Sequence, residues 1–256
     1  MKIEQVALQL YTLRDHLKTP ADIADTLRKV RGIGYQAVQA SGLGPIPEAE
    51  LLAILDGEGL KLCATHEPGD KILAEPQAVV ERLKKLGCMY TAYPHPSGID
   101  FADHAQLHTL AEKLDAAGKV LHEAGQVLTY HNHAIELVRM GNATMLDYLY
   151  AQTNANYLQA EIDTYWIQYG GGDPVAWCEK LAGRLPLLHM KDYAFTTDNK
   201  PMFAEIGSGN LDWKKIIAAA EGSGCQWFIV EQDSCPGDPF DSVTQSYRYI
   251  SEHLCG

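Results

Sequence analysis

Short apolar runs alternate with amphipathic helical patterns along the whole chain. Val6 to Tyr11, Ala37 to Ala40, Lys61 to Thr65, Met89 to Tyr93, Val127 to His131, Tyr157 to Asp163, Leu185 to Lys191 and Trp227 to Glu231 read as eight strands. Between them apolar residues recur at helical spacing: Ile23, Leu27 and Val30, then Leu51, Leu52 and Leu55, then Met145, Leu146 and Leu149. Start signals agree with that reading. Thr19-Pro20 and Asp173-Pro174 each supply a cap and a proline for the first helical position, and Asp212 caps a helix from Trp213 to Gly222. Further helices are expected over Pro47 to Glu58, Pro76 to Leu86, Phe101 to Ala124, Thr144 to Gln152 and Phe240 to Leu254. Strands that alternate with helices pair in parallel. Eight evenly spaced units, with no linker or low-complexity tract, predict one (β/α)8 barrel domain over residues 1–256. A doubly wound sheet is the second choice.

Four of the strands end in side chains competent to bind a metal. Side chains alternate across a strand, so Thr129, His131 and His133 share a face, as do Gln159, Glu161 and Asp163. His189 and Lys191 share a third face, and Glu231 and Asp233 a fourth. A barrel brings such strand ends together at one rim. His131, Asp163, His189 and Glu231 meeting there would offer two nitrogens and two carboxylates to a divalent ion. That mixture suits Mn, Co, Fe or Zn better than Ca, with Mg admissible and Mn favoured. The plainer alternative is a hydrogen-bonded polar core.

Other candidates surround that set. Glu161 and Lys191 lie one strand step from proposed ligands, where either moves a proton beside a metal-bound carbonyl, or the two simply pair as ions. Glu136, one loop turn past the histidines, is a further proton-transfer candidate. His66 and His95, at the ends of strands three and four, are expected to touch substrate hydroxyls. Gln9 and Tyr11 do so from strand one, or else plug the barrel. His133 contacts substrate or orients a ligand. Trp166 stacks on a sugar ring or wedges its loop. The turn Glu205-Ile206-Gly207-Ser208-Gly209-Asn210 exposes backbone N–H groups that suit an anion, with a lid held by Trp213 as the alternative.

Charge narrows the partners. The net charge is −12, from 21 basic and 33 acidic residues, and no Lys/Arg run offers a track for a phosphate backbone. Nucleic acid is therefore not an expected partner. The six cysteines form no CxxC pair and read as free thiols. No leader-like stretch follows Met1 and no run of 18 apolar residues occurs, so a cytoplasmic protein with no membrane contact is expected.

Several segments together resemble the sugar phosphate isomerase/epimerase superfamily, the xylose isomerase-like TIM barrels. They are Gln9-Leu10-Tyr11-Thr12-Leu13-Arg14, Tyr130-His131-Asn132-His133, Glu161-Ile162-Asp163-Thr164-Tyr165-Trp166, His189-Met190-Lys191-Asp192, Glu205-Ile206-Gly207-Ser208-Gly209 and Val230-Glu231-Gln232-Asp233. The resemblance implies one metal ligand from each of strands five to eight, at His131, Asp163, His189 and Glu231. In epimerases of the family a strand-five glutamate pairs with the strand-eight glutamate as acid and base. Here strand five carries His131, and Glu161, Lys191 or Glu136 would have to supply the missing group beside Glu231. The expected activity is metal-dependent isomerisation or epimerisation of a keto sugar or related polyol through an enediolate. The alternatives are a lyase or hydratase acting on a 3-keto-glycoside or inosose, a repair nuclease, which the acidic charge disfavours, and a non-catalytic sugar-binding barrel. The resemblance also admits a homo-oligomer.

Overall fold

The computed structural model describes residues 1–101 and 103–256. Eight parallel strands close into a barrel: β1 (Val6–Gln9), β2 (Ala37–Ala40), β3 (Lys61–His66), β4 (Tyr90–Tyr93), β5 (Val127–His131), β6 (Leu158–Asp163), β7 (Leu187–Met190) and β8 (Trp227–Val230). Their order around the ring is β1-β8-β7-β6-β5-β4-β3-β2. Each expected strand is present, with no end shifted by more than two residues. Strand one stops at Gln9, and Tyr11 lies in a 3-10 helix, Leu10–His16. Gln9 starts that helix by accepting a hydrogen bond from the Tyr11 amide. Residue 102, within the helix expected from Phe101, lies outside the described residues. That helix runs His104–Glu123, with the Asp103 carboxylate accepting from the amides of Ala105 and Gln106.

Two apolar layers hold the barrel. Outward residues such as Leu8, Val38, Leu128, Ile162, Leu188 and Val230 join the large core under the helices. Inside, Ala7, Ala37, Cys63, Ala64, Leu187 and Ile229 form a separate floor, in which four small residues make room for Leu187 and Ile229. Small side chains are what a narrow barrel can pack at its centre. One step further along the strands the inward positions turn polar. Gln9 pairs in register with Gln39, His131 with Glu161, and Asp163 with His189. Alternation along each strand therefore packs the helices with one face and builds a polar layer with the other.

Elements absent from the sequence reading decorate the rim. A short helix, Gly69–Ala74, follows β3, and another, Thr164–Tyr169, follows β6 directly. The long loop after β7 contains an antiparallel hairpin, Asp192–Phe195 with Pro201–Ala204. All six cysteines are free. No helix among the described residues is long and apolar enough to cross a membrane.

Candidate active site and metal centre

The four expected ligands meet at the C-terminal rim of the barrel. His131, Asp163, His189 and Glu231 each offer one donor atom, all within 4.8 Å of one another, and all four residues are buried. His131 Nε2 lies 3.9 Å and His189 Nδ1 4.0 Å from Asp163 Oδ2, and His189 Nδ1 lies 2.8 Å from Glu231 Oε2. Asp163 Oδ1 is occupied as the helix cap, accepting from the Trp166 amide at 3.0 Å. Asp163 Oδ2 is buried and outside any well-formed hydrogen bond, its nearest cation being the Lys191 ammonium at 3.0 Å. A dry acceptor facing two imidazole nitrogens and a second carboxylate fits a divalent ion, and the absence of thiolates fits one bound by nitrogen and oxygen.

Glu161 sits one layer below, fully buried, and gathers histidines rather than lysine. Its Oε1 accepts from His66 Nε2 at 2.6 Å and lies 3.0 Å from His189 Nε2 and 3.3 Å from His131 Nδ1. Its Oε2 accepts from Gln39 Nε2 at 2.7 Å. Gln39 Oε1 in turn accepts from His189 Nε2 at 2.6 Å and from Gln9 Nε2 at 3.0 Å. These contacts call for a proton on His189 Nε2, and Nδ1 faces Glu231 at 2.8 Å and Asp163. Burial works against the imidazolium, but Glu161 and Glu231 raise His189 to about 10, so a metal ion would take the place of the Nδ1 proton. His131 presents Nδ1 to Glu161 and Nε2 to Asp163 in the same sense. The set His66, His131, Glu161 and His189 is also close enough for an ion. Ligands about 2.0–2.2 Å from an ion surround a gap, whereas here the nitrogens surround the carboxylate oxygen itself at hydrogen-bonding distance. Glu161 is the centre of a hydrogen-bond hub that orients the candidate ligands above it.

Lys191 replaces the expected Glu161–Lys191 pair with a different one. Its Nζ lies 3.0 Å from Asp163 Oδ2, 2.9 Å from Glu231 Oε2 and 3.1 Å from Asp233 Oδ1. Burial disfavours the ammonium, but Asp163, Glu231 and Asp233 outweigh it and hold Lys191 above its ordinary range. So placed, Lys191 is a cation rather than a resting base. Burial would raise Glu231, yet Lys191 and His189 hold it well below the usual carboxylate range. Burial likewise works against the charge on Glu161, and His189 and His66 overcome it, keeping the group ionised. Asp163 is pushed up to about 6, chiefly by burial, and His131 is pushed down to about 3 by burial and then by His189. A neutral His131 is the form that can donate a lone pair.

A cavity of about 560 Å³ opens over this layer. Its walls include Tyr11, Arg14, His66, His95, His131, His133, Lys191, Glu231 and Asp233. Six expected contact or proton-transfer residues therefore reach the mouth: Tyr11, His66, His95, His133, Lys191 and Glu231. Three do not. Gln9 is fully buried under Gln39, Glu161 lies in the hub, and Glu136 is buried behind β5, accepting from Tyr130 Oη at 2.9 Å and from the His133 amide at 2.8 Å. Trp166 packs at the margin, its ring 5.5 Å from His133 and 5.7 Å from Lys191 Nζ.

The glycine turn does not present its amides to an anion. Asp192 already takes them: Oδ2 accepts from Gly207 N at 2.9 Å, Gly209 N at 3.2 Å and Trp213 Nε1 at 2.7 Å. A Cβ at Gly209 would fall 2.3 Å from Asp192 Oδ1, so the turn closes on the carboxylate only with glycine there. The alternative of a segment held through Trp213 matches the observed contacts. Gln39, the second acceptor for His189, was not expected at the site, and Asp233, placed on the strand-eight face without a role, is the third partner of Lys191. Gln39 carried one signal, an isolated polar residue at an inward position of an otherwise apolar strand.

Comparison with known proteins places this geometry among relatives. The profile of the xylose isomerase-like TIM barrel family matches residues 27–253. An inosose dehydratase of Geobacillus kaustophilus (strain HTA426) is 25% identical over 263 residues, covering 88% of this chain and 85% of that one. An inosose dehydratase of Salmonella typhimurium (strain LT2) is 27% identical over 188 residues, covering 65% of this chain and 58% of that one. The structure of a sugar phosphate isomerase/epimerase from Parabacteroides distasonis ATCC 8503 superposes with a TM-score of 0.83 at 23% identity, over 98% of this chain and 99% of that one. At that identity the superposition speaks to the fold.

Proposed function

Because the chain belongs to the xylose isomerase-like TIM barrel family, we propose that it is a divalent-metal-dependent enzyme acting on a keto polyol, a cyclic inosose or 3-keto sugar, as a lyase of the dehydratase type. The relatives named inosose dehydratase support that direction. The observation that carries it is the strand-five position. An epimerase removes a proton from one face and returns it to the other, which calls for two opposed acid–base groups. Here β5 ends in neutral His131, and the carboxylates Glu231 and Asp233 both reach the mouth from the end of β8. A base and an acid on one side serve removal of an α-proton followed by departure of a β-oxygen.

The residues divide the work. His131, Asp163, His189 and Glu231 would hold the ion, which would supply Lewis acidity to the substrate carbonyl. Glu231, ionised and lining the cavity, takes the α-proton. The Lys191 ammonium holds positive charge where negative charge develops on the substrate oxygen. The departing oxygen takes its proton from the Lys191–Asp233 pair, whose ammonium and carboxylate lie 3.1 Å apart. Glu161 and Gln39 hold the two imidazoles with the required nitrogens facing the centre.

A second reading, isomerisation or epimerisation of a keto sugar, shares the first step. It is favoured by His95, which follows β4, four strands around the ring from β8, and lines the same cavity. Mass spectrometry separates the two after incubation of the Mn-loaded protein with an inosose. Loss of one water supports the lyase. An unchanged mass with a new epimer or isomer supports the second reading.

A further inference from the structure

Beside the cavity at the mouth lies a second chamber of about 400 Å³, lined in common with it by Ser41, His66, Glu67 and Pro68. None of the four candidate ligands lines this chamber. Its surface includes Ala40, Leu43 and Val79, and Arg82 stands at its edge. Arg82 is fixed there by two carboxylates. Its Nε donates to Glu48 Oε1 at 3.2 Å and its Nη1 donates to buried Glu67. Among the described residues no protein group accepts from Arg82 Nη2. The lining cations Lys71 and Arg82 are balanced by Glu67 and Glu75, so the chamber carries no surplus charge for a phosphate. Apolar surface beside a preset, unused N–H donor is the mixture that receives a neutral, hydroxyl-bearing ring.

We propose that this chamber is a subsite for a second unit of the substrate, so that the natural substrate is a keto ring bearing a neutral substituent, such as a second sugar or an aglycone, rather than a bare inosose. The inference rests on the proposed action on a keto polyol. The mouth receives the reacting ring, and His66 and Glu67 form the wall the two compartments share. Arg82 Nη2 donates to a hydroxyl of the second unit.

Two exposed residues at the chamber allow it to be filled without touching the hub: Ala78→Trp and Lys71→Trp. Kinetics are measured on the Mn-loaded full chain with a methyl 3-keto-glucoside and with a 3-keto-disaccharide. The subsite predicts that each variant raises KM for the disaccharide roughly tenfold and leaves the methyl glucoside within about twofold. Equal effects on both substrates, or on neither, overturn the subsite. A wild-type protein that turns over the methyl glucoside and rejects the disaccharide also overturns it, while the proposed activity stands. A wild-type protein inert toward both removes the proposed activity, and the subsite falls with it.

Discussion

Lys191 Nζ lies 3.0 Å from Asp163 Oδ2, nearer than His131 Nε2 at 3.9 Å or His189 Nδ1 at 4.0 Å. The ammonium thus holds an oxygen that the candidate metal centre also needs, and it holds Glu231 Oε2 as well. Lys191→Met leaves buried carboxylates without their counter-charge, which costs about 3–5 kcal/mol in such pairs. The metal-free variant should therefore lose that stability in urea unfolding. Its Mn affinity, followed by calorimetric titration, should rise because a competing cation is gone, and saturating Mn should restore much of the loss. Unchanged stability of the metal-free variant would show that the ion pair does not form.

Glu161→Gln tests whether this carboxylate orients ligands or moves the proton. An orienting role predicts a fall in Mn affinity of roughly 10–100-fold, the usual cost of losing such a partner. It also predicts a change in the ring-nitrogen chemical shifts of His131 and His189. If Mn affinity and the imidazole shifts stay constant while turnover disappears, Glu161 is the base and the hub assignment is wrong.

Burial raises the Glu136 carboxyl to about 7 from the model-peptide 4.5. The folded protein then keeps a proton that the unfolded chain has released. The stability contributed by this group is fully present below about pH 4.5 and is lost as pH rises through 7, a change on the order of 3 kcal/mol. Glu136→Gln keeps an acceptor for the His133 amide and cannot ionise. The difference in unfolding free energy between wild type and variant should grow in the variant's favour from about pH 5 to pH 8. A difference that is flat across that range contradicts the assignment.

Asp192 organises the long loop after β7 through the amides of Tyr193, Gly207, Gly209 and Leu211 and the Trp213 indole. Asp192→Ala strands several of these donors at once, each worth about 1–3 kcal/mol when left unpaired and buried. Limited proteolysis should then cut between residues 192 and 211 at low protease, where the wild type resists. Equal resistance would mean the loop is held elsewhere.

The barrel was legible because its two periodicities are clean. Strands such as Leu187–Met190 put leucine and methionine on the helix-packing face and leave His189 inward. The candidate ligands were grouped by the same alternation, since His131, Asp163, His189 and Glu231 each stand at or just past a strand end. What alternation cannot reveal is which inward neighbours bond. It placed Glu161 and Lys191 as possible partners, yet the twist and closure of the ring bring His66 from β3 and Gln39 from β2 onto Glu161, and Asp233 onto Lys191. The glycine turn was open to two readings because an exposed amide and one capped by Asp192 look alike in sequence. Arg82 lies on a surface helix, where nothing in the periodicity separates a solvated arginine from one lining a chamber.

Proton exchange at the substrate's α-carbon tests the central claim most directly. Mn-loaded protein is mixed with an inosose and a 3-keto-glucoside in D₂O and followed by proton NMR. Dehydration through an enediolate predicts loss of the α-proton signal with formation of an unsaturated product, and loss of that reaction in Glu231→Gln and after chelation. Full retention of the α-proton with every keto polyol, by protein that binds Mn stoichiometrically, would contradict it.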